Sequence, residues 1–404
     1  MNNVQMLQEL IEPAWLDAFE SVLRRCALKT GDTVAILAES QSRPVLVDLA
    51  RLASARLGAQ SFTLLLPSVF ESKQPVARST GASGAIKNIA PVVAALAGST
   101  LVVDCTVEGL MHAPELPAIL QGGARVIYVS NEHPEALARL VPDDTLEPLV
   151  KSHVKRLRVA RAMHVTSSAG TDLRINLAGA VVGGNWGYTA RPGTMTHWPG
   201  GLALAFPAAG SVSGRLVLAE GDVNLTFKRY IERPITLTIE DDHITKIEGS
   251  GVDAELMRSY IAAWATHEGD RAAYAVSHVG YGLNAGARWD SMALYDKRDF
   301  NGTELRAFGG NFLYSTGANE VAGRHTLGHF DLPLKGCTVM LDGELVVDAQ
   351  GRVAAIARKC SRSLADSCMA KSRMYASCTS AVACSTVTSP TMVRMTSLGR
   401  YSFA

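Results

Sequence analysis

The feature that most constrains this chain is the alternation, through its first third, of short apolar runs with segments of helical period. Thr33–Leu37 (TVAIL), Ala59–Leu65, Thr100–Asp104 (TLVVD) and Ala124–Val129 (ARVIYV) are too short for stable helices and rich in β-branched residues. That is the pattern of strands buried on both faces. Pro44–Leu57, Ile89–Leu96, Leu116–Gly122 and Pro134–Leu140 read as helices between and after them. Pro91 is tolerable in a first turn, where the N–H it lacks has no helical partner anyway. A helix over Leu7–Leu28 precedes the series, with Leu10, Trp15, Phe19 and Leu23 on one stripe. Strands that alternate with helices imply a parallel sheet, because joining parallel strands takes a crossover long enough to hold a helix.

From about Val150 the texture changes. A basic helix over Leu149–Ala162 is followed by glycine-rich and alternating segments, among them LAGAVVGGNWGYTARPGTMTHWPGG and RPITLTIEDDHITKIEG. Ile235–Ile239 and Ile244–Ile247 alternate with period two around Asp241-Asp242-His243, a hairpin signature. Asp253–Trp264 reads as one amphipathic helix. The expected architecture is therefore α/β plus α+β. An N-terminal Rossmann-like parallel-sheet domain covers residues 1–160, and a C-terminal mixed α+β metal-binding domain covers 161–355. Past Ala357 the hydropathic pattern stops, and residues 356–404 are expected to form a disordered tail.

Composition excludes several classes. A net charge of +1 without a basic stripe gives no case for nucleic acid. No apolar run is long enough for a bilayer. The acidic start MNNVQMLQELIEPAW is no signal sequence, so the cytoplasm is the expected location. AILAESQSR follows the first strand where a dinucleotide fold needs GxGxxG. Cys26, Cys105 and Cys337 sit in apolar contexts and are expected to be buried free thiols. Cys360, Cys368, Cys378 and Cys384 lack the CxxC spacing of a zinc site.

Chemistry gathers in Tyr274–Leu334, which holds YAVSHVGYGLN, RAFGGNFLYSTG and GRHTLGHFDLPL. On a strand, His329, Asp331 and Pro333 share one face and Phe330, Leu332 and Leu334 the other. Val276, His278 and Gly280 are expected to share a face too, the glycine leaving room beside the imidazole. Two histidines and a carboxylate match the non-haem Fe(II) facial triad, which leaves positions open for substrate and oxygen. His112, in the loop after TLVVD, lies beyond the carboxyl end of a parallel strand, where ligands bind in such sheets. Each side chain has an ordinary reading as well, as a core or surface-loop histidine.

The motifs LVVDCTVEGLMHAPE, THWPGG, VSHVGYGLNAGARW, RAFGGNFLYSTG, GHFDLPL and a closing strand CTVMLDGELVV, in this order, resemble the 2,5-dihydroxypyridine 5,6-dioxygenase family. More distantly the chain resembles the aminopeptidase T-like metallopeptidases, whose two-metal chemistry is the competing reading. The first resemblance implies His278, His329 and Asp331 as Fe(II) ligands, His112 and His197 as active-site histidines, and Arg306 and Ser315 as substrate-pocket residues. It implies an extradiol-like ring opening with dioxygen, a small aromatic substrate, the product N-formylmaleamate, and a homo-oligomer. The ordinary alternatives are an ion-pair arginine at 306, an edge hydroxyl at 315, and a His197 packed on Trp198. Asn185 stands at a pocket position where the family pattern has Glu, so another hydroxylated or aminated ring is the alternative substrate.

Overall fold

In the computed structural model, which describes residues 10–69 and 81–355, the apolar runs become strands Thr33–Glu39, Gln60–Leu66, Leu101–Asp104 and Arg125–Tyr128 of one parallel sheet. Successive side chains point to opposite faces. Val34, Ile36, Leu101 and Val103 pack with helices Pro13–Arg25 and Pro44–Arg56. Ala35, Leu37, Val102 and Val126 pack with Ala90–Ala97 and Leu116–Gln121. Each of the four helices carries a proline in its first two positions, where the missing N–H costs nothing. Full burial of a side chain such as Phe19, Leu46 or Leu49 contributes about 1.5–3 kcal/mol. Pro13 starts the first helix, so Leu10 lies ahead of it and is exposed rather than part of the stripe.

Two departures follow from contacts made over distance. Met195–His197, from beyond the change of texture at Val150, forms a fifth parallel strand beside Arg125–Tyr128. The basic helix spans Leu146–Val159 rather than Leu149–Ala162, and Ala162 opens a strand. Asp143 sets that earlier start, its carboxylate accepting from the N–H groups of Thr145 and Leu146.

The remaining strands form two antiparallel sheets, of seven and five strands, and a two-stranded ribbon, Val223–Asn224 with Arg229–Tyr230. The seven-stranded sheet includes the expected hairpin, Ile235–Glu240 with His243–Glu248. It also takes Cys337–Leu341 and Glu344–Val347, so the closing segment is two strands turning at Asp342-Gly343 rather than one. The sheets share one core, in which Val165, Leu173, Leu216, Leu237 and Val339 meet Val279, Phe312, Tyr314, Phe330 and Leu332. Together these layers form the mixed fold expected, a parallel sheet plus antiparallel sheets. No helix among the described residues is long and apolar enough to cross a membrane. Cys26, Cys105 and Cys337 are buried free thiols, whereas the other four cysteines and the tail from residue 356 lie outside the described residues.

Candidate active site

The site is built by strand register. Val276–Gly282 pairs with Phe312–Thr316, which pairs with Phe330–Leu334. His278 stands opposite Ser315, and Ser315 opposite Asp331. Directly opposed residues hold their Cβ atoms about 4.5–5.5 Å apart, so these three side chains form a row on one face. His329, two residues before Asp331, reaches the same place. Ligand atoms of His278, His329 and Asp331 all lie within 4.8 Å of one another. The residues between them, Val279, Phe312, Tyr314, Phe330 and Leu332, point into the core. A one-residue slip would exchange Asp331 for Leu332, and the buried apolar face forbids it.

Two details differ from the sequence reading. Val276 does not share the face of His278. A register shift between them, one extra residue in the strand, turns Val276 into the core beside Val279. Gly280 serves the neighbouring strand rather than the imidazole: a Cβ there would stand 2.2 Å from the Ala203 carbonyl oxygen.

The donors suit one metal ion. His329 Nε2 lies 3.2 Å and His278 Nε2 3.8 Å from Asp331 Oδ1. Metal–ligand bonds of about 2.1 Å meeting near a right angle place donors about 3 Å apart, so small adjustments suffice. Two imidazoles and a carboxylate form the donor set of non-haem Fe(II) oxygenases. Ser315 donates to Asp331 Oδ1 and lies 3.0 Å from His278 Nε2. It is fully buried and braces the donors from below rather than lining the cavity.

Above the row lies a cavity lined by His112, His197, Asn185, Arg306 and the three donors. The parallel sheet contributes from its carboxyl ends: His112 follows Leu101–Asp104, and His197 ends Met195–His197. The His112 ring is 5.3 Å from that of His329. His197 rests on Tyr128, ring centres 4.5 Å apart, and not on Trp198, which packs against Phe19. Asn185 faces the cavity but spends its amide locally. Its oxygen accepts from Gly187 N–H and the Thr196 hydroxyl, and its nitrogen donates to the Pro199 carbonyl. The loop that carries His197 is thereby clamped.

Arg306 sits on the short helix Thr303–Ala307 and donates through Nε to Asp331 Oδ2 at 2.6 Å. Its segment is tied to the parallel-sheet layer. Glu132 accepts from the N–H groups of Asn301 and Thr303, and Arg139 pairs with the fully buried Glu304 at 2.7 Å. Burial opposes the charge of Asp331, but Arg306, His329 and His278 outweigh it and hold the carboxyl well below its usual range. Burial, and then neighbouring positive groups, push His112 and His197 down to about 3. Burial does the same to His278, against the attraction of Asp331. All three imidazoles are therefore neutral near pH 7, with a ring nitrogen free to accept a hydrogen bond or a metal.

Sequence reasoning missed Tyr128, Asn301 and Lys228, which reach this site through pairings no local pattern marks. Tyr128 ends an apolar strand, and Lys228 lies in an unremarkable turn. A glycine-free turn with a left-handed lysine, φ +54°, has no sequence signal of its own.

A family model described as 2,5-dihydroxypyridine 5,6-dioxygenase matches residues 14–355. A relative of that name from Pseudomonas putida KT2440 is 38% identical over 344 residues, spanning 83% of this chain and 95% of its own. The solved structure of 2,5-dihydroxypyridine dioxygenase from Pseudomonas putida KT2440 superposes with a TM-score of 0.79 at 35% identity. It covers 86% of this chain and 99% of its own. AmpT from Thermus thermophilus, at 14% identity and a TM-score of 0.56, covers 85% of this chain and 99% of its own, a likeness of fold alone.

Proposed function

The chain belongs to the 2,5-dihydroxypyridine 5,6-dioxygenase family, and from that premise we propose that it opens 2,5-dihydroxypyridine to N-formylmaleamate with Fe(II) and dioxygen. One observation carries the reading: His278, His329 and Asp331, braced by Ser315, line a cavity that also gathers Arg306, His112 and His197. In the reaction both atoms of dioxygen enter the product and the C5–C6 bond breaks. His278, His329 and Asp331 would hold Fe(II), which when bound would supply open coordination positions and the redox chemistry that activates dioxygen.

The protein's own groups do the rest. His112, in the cavity wall, accepts a hydrogen bond from a ring hydroxyl at its unprotonated nitrogen and takes that proton, its charge then favoured by Asp331 and by the ring oxyanion left behind. Arg306 keeps Asp331 ionised and presents guanidinium N–H groups to a developing oxyanion. Ser315 fixes the orientation of His278 and Asp331. Asn185 and Thr196 hold the strand end from which His197 faces the ring. Because Asn185 contributes no charge to the wall, a second hydroxylated ring is the alternative substrate.

Oxygen uptake by the Fe(II)-loaded chain, across a small panel of hydroxylated pyridines with the product identified by mass, tests this. Uptake with 2,5-dihydroxypyridine and a product heavier by two oxygen atoms is expected. Peptide hydrolysis with two bound zinc ions and no oxygen uptake would refute it.

A further inference from the structure

Lys228 is a cationic cavity residue that the mechanism above leaves unused. It occupies the turn between the short strands Val223–Asn224 and Arg229–Tyr230, with a left-handed φ of +54°. A non-glycine residue held there signals local strain that the surroundings must maintain. They do so from both sides. Asn224 and Arg229 both donate to Asp253 Oδ1, at 3.3 and 3.1 Å. Leu225 N–H reaches the Asp331 carbonyl at 3.4 Å, which ties the turn to the ligand strand.

The side chain so placed lines the cavity. Its Nζ donates to the Lys297 carbonyl, and no ion pair to it is found among the described residues. The neighbouring carboxylates are engaged elsewhere: Glu132 with Thr303 and Asn301, Asp299 with Arg43 at 3.2 Å, and Asp331 with Arg306. Lys228 is partly exposed, so its ammonium keeps some water, and the portion facing the cavity gains most when an opposite charge meets it. Burial, the largest influence, and then Arg306 disfavour its charge, while Glu132 and Asp299 favour it only from a distance. A cation held in a reaction cavity, with two N–H donors unspent, is set up for an anionic ligand.

We propose that Lys228 is a substrate-binding residue whose ammonium takes an anionic oxygen of the ring compound. This rests on the ring-cleaving reading above and adds a second cation to the cavity, separate from Arg306.

The test compares the Fe(II)-loaded wild type with Lys228→Met, Lys228→Gln and Lys228→Arg. Two quantities are measured: the Kd for 2,5-dihydroxypyridine by anaerobic absorbance titration, and KM and kcat by oxygen uptake. Lys228→Gln keeps an N–H for the Lys297 carbonyl without the charge, so it separates charge from structure. Lys228→Met and Lys228→Gln are expected to raise Kd and KM at least tenfold with kcat within threefold. Lys228→Arg is expected to recover most of the affinity. Unchanged Kd in the Met and Gln variants overturns the proposal while the dioxygenase reading stands. A fall in kcat and thermal stability with Kd unchanged overturns it too, because that marks a structural clasp on Lys297. A wild type that neither binds nor oxidises the ring compound sinks both readings.

Discussion

Replacing Arg306 by Met leaves Asp331 as a buried carboxylate without its cation. The pair is short, 2.6 Å, and the Asp331 side chain is only 1% exposed while that of Arg306 is 20% exposed. Removing one partner of a buried pair costs about 3–5 kcal/mol, because the remaining charge goes uncompensated. Partial exposure of the guanidinium and the bonds Asp331 keeps from Ser315 and His329 place this case at the lower end, about 3 kcal/mol. With a urea slope of about 3 kcal/mol/M, the unfolding midpoint of the metal-free chain falls by roughly 1 M. Asp331→Asn combined with Arg306→Met removes the bare charge and recovers part of that loss. Fe(II) affinity, read by chelator competition, falls about 10–100-fold in Arg306→Met, as for loss of a partner that orients a ligand. A midpoint unchanged within error, or a double variant weaker than the sum of the single ones, would refute the reasoning.

Three further outcomes follow from other parts of the molecule. Gly280→Ala forces a methyl onto the Ala203 carbonyl and Leu204, and is expected to cost at least about 2 kcal/mol in thermal unfolding. His112→Gln is expected to lower kcat by about 10²–10⁴ with iron content unchanged, measured by oxygen uptake and metal analysis. Asp104, fully buried with one oxygen unpartnered, has its carboxyl pushed up to about 7 by burial and then offset by Thr106. The folded chain thus favours its protonated form. That stability is present in full below the ordinary carboxyl range and is lost as pH rises through about 7. A Tm that falls between pH 5 and pH 8, with the slope reduced in Asp104→Asn, is the result to look for.

The first third of the fold was legible because three of its strands, Thr33–Glu39, Leu101–Asp104 and Arg125–Tyr128, are buried on both faces and its helices begin at prolines. Those signals are local. Gln60–Leu66 departs from that expectation: it lies at the sheet edge with Leu65 exposed. The fifth strand, Met195–His197, was not legible, because three residues with no run of their own join the sheet only by pairing with Arg125–Tyr128. The metal row was half legible. Alternation placed His329 and Asp331 on one face, but the shift that turns Val276 into the core depends on the partner strand. Arg306 was named from family likeness, whereas its hold on Asp331 comes from a helix that Glu132 and Arg139 anchor from far along the chain. Ser315 was expected in the pocket wall. It lies beneath the donors because register sets it between His278 and Asp331.

The central claim is that His278, His329 and Asp331 hold a catalytic iron. Iron content per chain after anaerobic reconstitution, measured together with oxygen uptake on 2,5-dihydroxypyridine for the wild type and His329→Ala, tests it most directly. The account predicts one iron and turnover in the wild type, and loss of both in His329→Ala with folding retained. A His329→Ala chain that keeps a full iron and turns over at the wild-type rate would contradict it.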